Sequence, residues 1–160
     1  MRTLKTLTFL VSTLTIVACN PFHHDPVTKV SRDVNVNSRW RASLVTPATL
    51  VGAVQINGTA TMQPGRTTGD TDFSVGVDNA TPGGVHPWQV HRGQCGSDEG
   101  VLGSADAYKA IKIDDDGRGK ATATVVMTTP TSGRYFVTVQ ASEANSETVV
   151  ACGNLAPPAQ

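Results

Sequence analysis

An excess of charge of either sign is missing from this sequence. Its 160 residues carry 13 basic and 13 acidic side chains, so the formal net charge is zero. Such a chain lacks the strongly basic surface that nucleic acid requires and the polybasic patch that would hold it on anionic lipid. Aromatic residues are scarce at 5%, so a core has to be built mainly from Val, Ile, Leu and Ala. No segment sustains a helical period, and Ser104 to Ala110 offers one helical turn at most. The GxSxG, Walker and dinucleotide fingerprints are absent. Ser, His and Asp are all present, but nothing in the sequence arranges them as a triad. What is there is a turn-rich composition, with 15 Gly, 9 Pro and 39% hydrophobic residues. Its length fits one globular domain, or one domain plus a tail.

The N-terminus reads as an address. Arg2 and Lys5 precede an acid-free apolar stretch from Leu7 to Ala18. That stretch is too short to span a bilayer and suits a signal peptide. It ends Ile16-Val17-Ala18-Cys19, which resembles the lipobox of bacterial lipoproteins. The resemblance implies cleavage before Cys19, a lipid on its sulfur and a membrane partner reached through that anchor. Several acyl chains, at about 0.8 kcal/mol per buried methylene, hold a protein stably. Loss of residues 1–18 leaves 11 bases against 13 acids, a charge of −2. Asn20 rather than aspartate follows the cysteine, which in enteric-type bacteria fits the outer membrane. The expected location is therefore the bacterial cell envelope. Residues 19–42 lack any period and read as a lipidated cysteine with a flexible tether. His23-His24-Asp25 lies in it and reads as part of a solvated polar stretch.

From about Ala48 strand patterns alternate with turns, which places one β domain over 43–160. Ala53 to Gln63 is rich in Thr, Val and Ala and stops at Pro64-Gly65. Phe73, Val75 and Val77 alternate with polar or small residues, the period of a half-buried strand. Val85 to Arg92, Ile111 to Ile113, Ala121 to Met127, Tyr135 to Val139 and Thr148 to Cys152 continue the series. Asp114-Asp115-Asp116-Gly117 reads as a hairpin turn and lacks the spacing of a calcium loop. The expectation is an all-β Greek-key barrel or sandwich of about eight antiparallel strands. With Cys19 assigned to lipid, Cys95 and Cys152 remain. They form one disulfide in an oxidising compartment, or a thiol pair for metal or redox chemistry.

A family resemblance runs through residues 48 to 157. Gly84-Val85-His86-Pro87-Trp88-Gln89-Val90-His91, Cys95-Gly96, Gly133-Arg134-Tyr135-Phe136-Val137 and Val150-Ala151-Cys152-Gly153-Asn154-Leu155 resemble copper/zinc superoxide dismutase-like domains in order and spacing. The resemblance implies an eight-stranded Greek-key barrel and a Cys95–Cys152 disulfide. It matches His86 to a structural histidine and makes Trp88 a core residue. It also places the family's copper histidines at Gln89, His91 and Gln140, so two of these are glutamine here. Between Gly96 and Lys109 there is no histidine to bridge or bind zinc, and the substrate-guiding arginine position is Val149. One imidazole cannot hold Cu(II) in a tetragonal field. The expectation is thus the fold without the catalysis: no catalytic residue and no cofactor. His91 alone remains as a candidate copper ligand or a hydrogen-bonded strand histidine. The role expected is structural or binding, toward an unidentified envelope protein. The alternatives are a copper protein or dismutase drawing ligands from elsewhere, and an unrelated immunoglobulin-like adhesion module.

Overall fold

The computed structural model of the protein describes residues 38–158. The expected signal segment 1–18, the lipidation site Cys19 and the His23-His24-Asp25 cluster lie outside the described residues.

Period-two patterning produces the strands it predicts. The segment Asp70–Asp78 alternates half-exposed and buried positions along its length, placing Phe73, Val75 and Val77 inward. In chain order the strands are β1 (Trp40–Leu44), β2 (Asn57–Pro64), β3 (Asp70–Asp78), β4 (Val85–His86), β5 (Trp88–Gln94), β6 (Ser97–Val101), β7 (Ile111–Lys112), β8 (Gly119–Val126), β9 (Tyr135–Ser142) and β10 (Asn145–Asn154). Two four-stranded antiparallel sheets, ordered β1-β2-β3-β8 and β10-β9-β5-β6, are joined by a β4-β7 pair. Helical structure among the described residues is confined to two 3-10 turns, Ala48–Leu50 and Ala105–Ala107. The chain is all-β, as expected, with ten strands where about eight were predicted.

The inward side chains of both four-stranded sheets form one core. Trp40, Met62, Phe73 and Val125 come from the first sheet, and Trp88, Val90, Val137 and Val139 from the second. Trp40 and Trp88 sit in the core, each edge to face with a tyrosine, which suits the ring quadrupole. Trp40 meets Tyr135 at 5.4 Å and Trp88 meets Tyr108 at 5.1 Å between centroids. Their polar atoms are satisfied there. Trp40 Nε1 donates to Pro130 O, Trp88 Nε1 to Lys109 O and the Tyr108 hydroxyl to Leu102 O. Burial pushes the Tyr108 phenol above its ordinary range, so it stays a neutral donor.

The strand boundaries differ from expectation for local reasons. β1 begins at Trp40, inside the stretch 19–42 read as tether, and Trp40 is only 1% exposed. The second strand starts at Asn57, not Ala53, and residues 45–56 form a loop. Pro87 splits the strand predicted over Val85 to Arg92, since proline has no N–H for a ladder; its carbonyl still accepts from Gln140 N. The last strand is longer than predicted, running Asn145–Asn154. Asp114 to Gly117 is the expected turn: Asp114 Oδ1 accepts from the N–H groups of Asp116 and Arg118, and Gly117 has a positive φ of 75°.

β10 is fastened twice, once to the other sheet and once within its own. Arg41 pairs with Ala156 and Val45 with Cys152, each through reciprocal backbone hydrogen bonds. The Cys95–Cys152 disulfide, with Cα atoms 6.0 Å apart, joins the β5–β6 turn to β10. Its formation removes the thiol-pair alternative for these two residues. It closes 57 residues, a constraint valued at about 4 kcal/mol by loop entropy.

Candidate functional site

Strand alternation decides which residues of β5 and β9 leave the core. Trp88 and Val90 point inward, as do Val137 and Val139, so Gln89, His91, Phe136, Thr138 and Gln140 share the opposite face. The register sets Gln89 beside Thr138 and His91 beside Phe136. Val149 of β10 pairs with Gln140. The structure therefore brings together all three positions that the resemblance assigned to copper, with Val149 next to them.

This face is covered. A groove of about 1130 Å³ runs over it, walled by Val45, Pro47 and Thr49 of the loop after β1 and by residues 95–98 beyond β5. Cover explains why His91, Thr138 and Gln140 are 6%, 5% and 7% exposed although they turn away from the core. The acids lining the groove are Asp98 and Glu147, and no Lys or Arg lines it.

A chain of hydrogen bonds crosses the floor. His91 Nδ1 lies 3.0 Å from Asp98 Oδ1 and His91 Nε2 lies 3.2 Å from Thr138 Oγ1. Gln140 Nε2 donates to Thr138 Oγ1 at 2.9 Å. With a neutral imidazole the directions are fixed: His91 Nδ1–H donates to Asp98, and Thr138 O–H donates to the Nε2 lone pair. The ring stacks on Phe136 at 5.0 Å. The Gly100 N–H, with a lesser contribution from His91, holds the Asp98 carboxyl below its ordinary range against the opposing effect of burial.

Gly93 makes the Asp98 contact possible. Its φ of 102° is costly for an L side chain, and a Cβ there would run into the backbone oxygen of Ser97. The β5–β6 register shifts between His91 and Gly93, and Gly93 then pairs with Asp98. Asp98 and Thr138 are the site residues that sequence reasoning missed. Asp98 sits in a polar hairpin with no hydrophobic pattern, and Thr138 looks like any strand threonine.

Carboxylate, imidazole and hydroxyl in line have the order of a nucleophilic triad. Thr138 lies mid-strand, paired between Gln89 and Cys152. The arrangement's hydrogen bonds link the β6 hairpin to β9.

His86 lies elsewhere. Its Nδ1–H donates to the backbone oxygen of Gln140 at 2.9 Å, fastening β4 to β9. Trp88 is in the core as expected. Among the described residues, no group of three or more His, Cys, Asp or Glu side chains is placed to hold a metal ion. Compared with known proteins, the chain matches no family model and no curated protein.

Proposed function

We propose that this chain is a lipid-anchored protein of the bacterial cell envelope. Its β domain has the copper/zinc superoxide dismutase-like arrangement and a structural or binding role in place of redox catalysis. The lipobox-like end of the apolar run supports the anchor, and Asn20 supports the outer membrane. The HPWQVH strand, the Cys95–Cys152 disulfide and the two antiparallel sheets support the arrangement.

The observation that carries the non-catalytic reading is the state of His91. Both its ring nitrogens are engaged, by Asp98 and by Thr138. At the other two positions stand Gln89 and Gln140, whose neutral amides are poor partners for copper beside imidazole. These residues do not fit the metal. Charge points the same way. Superoxide is an anion, and the groove presents Asp98 and Glu147 with no Lys or Arg.

Metal loading tests the reading. The full chain, reconstituted with Cu(II) and Zn(II), is expected to retain far less than one copper per chain. The double substitution Gln89→His with Gln140→His is expected to raise copper affinity, because it restores three imidazoles on one face. One tight copper in the unaltered chain would overturn the reading in favour of a metalloprotein with ligands from elsewhere. For the anchor, Cys19→Ala is expected to move the protein from the membrane fraction to the soluble fraction. Unchanged membrane association would remove the lipid from the proposal.

A further inference from the structure

One polar atom of a groove-lining residue is left over. Gln140 uses its Nε2 on Thr138, while its Oε1 is buried and has no hydrogen-bond partner. Native structures rarely leave such an acceptor without a donor. Flipping the amide does not cure this. The Thr138 hydroxyl proton is committed to His91 Nε2 as long as the neutral ring gives its Nδ1–H to Asp98, so Thr138 can only accept from Gln140. The network therefore fixes Gln140 with its amide nitrogen toward Thr138 and its carbonyl oxygen unsatisfied.

The surroundings define what would satisfy it. The groove's ionic groups are the carboxylates of Asp98 and Glu147, and no Lys or Arg offsets them. A site of this sign favours a cation and repels an anion. Val45, Pro47 and Val149 supply apolar wall along the same groove. At about 1130 Å³ it is slightly larger than a typical small-molecule site of roughly 300–1,000 Å³.

We infer that the groove binds an aliphatic ammonium ligand. Its N–H donates to Gln140 Oε1, its charge is held by the field of Asp98 and Glu147, and its methylene stem lies along Val45 and Val149. The inference rests on the binding role proposed above and names the ligand class for it. An alkylammonium group comes from two sources, a free polyamine or a lysine side chain on a partner protein.

Calorimetric titration of the purified full chain in neutral detergent tests this, with n-butylamine, 1,4-diaminobutane and acetyl-lysine methylamide as probes and butyrate as the control of opposite charge. Saturable amine binding that weakens with salt and is absent for butyrate is expected. Gln140→Met, which keeps the side-chain length and removes the acceptor, is expected to weaken binding about tenfold. Glu147 is exposed, so Glu147→Gln folds and is expected to weaken binding a few-fold at low salt only. Binding of acetyl-lysine methylamide as tight as that of the diamine assigns a protein lysine; tight binding of the diamine alone assigns a free polyamine. No saturable amine binding, equal binding of butyrate, or an unchanged affinity in both variants would overturn the inference. Copper uptake on the same sample separates the two readings. Absence of both amine and copper removes the groove ligand and leaves the metal-free reading intact. Stoichiometric copper removes the metal-free reading, whatever the amine does.

Discussion

His91 acquires its role from its neighbours. An outward strand histidine with glutamines around it can be a ligand, a base or a strut. Asp98 on one nitrogen and Thr138 on the other make it a strut between two strands. Asp98 also gives a pH dependence on the acid side. Its folded pKa lies below the ordinary 3.8, first through the Gly100 N–H and then through His91. A depressed carboxylate contributes stability that is fully present above 3.8 and is lost as pH falls through the lower folded value. Asp98→Asn is therefore expected to flatten the acid side of the stability curve. Urea midpoints measured above and below the ordinary carboxylate pKa check it, and an identical acid-induced drop in both proteins would contradict it. Gln89 and His91 were legible as one face from alternation, because strand geometry has a period of two, whereas Gln140 was placed beside them only by the family resemblance. Asp98 was not, because it arrives through a bulge at Gly93.

The strands that sequence reasoning missed failed to show for opposite reasons. β6 reads Ser-Asp-Glu-Gly-Val, and its first four residues are exposed, so it carries no apolar period. It is a short, charged strand at the end of its sheet, a form that discourages pairing with other chains. β1 does alternate, with Trp40, Ala42 and Leu44 inward, but it follows a long polar stretch that hides its start. Trp40 is nonetheless a central core residue, packed edge-on against Tyr135 and donating to Pro130 O. Trp40→Ala is expected to cost about 3–5 kcal/mol, the range for large aromatic deletions in a core. A urea midpoint close to that of the unaltered chain would return Trp40 to the tether.

At the scale of the whole molecule, the β1–β10 seam and the disulfide act together. Residues 41 and 45 bond to 156 and 152, and Cys152 is also covalently tied to Cys95. The link runs from one sheet through β10 to the hairpin that carries Asp98. Cys95→Ser is expected to destabilise the domain by about 2–5 kcal/mol. Melting curves with and without reductant check this, and equal midpoints would mean that the bond adds nothing to stability. Surface ion pairs such as Arg118–Asp78 at 3.3 Å are exposed and add little beside it. The sequence by itself determined that the chain is all-β, where most strands run and which residues leave the core, because period-two alternation and turn residues are local properties of the chain. Only the tertiary structure decided that a loop and a hairpin would roof the outer face of β5 and β9, that Asp98 and Thr138 would meet His91, and that the Gln140 oxygen would be left without a donor. His91 and Thr138 alone are 47 positions apart, and no local pattern encodes which distant polar groups will meet once the sheets close.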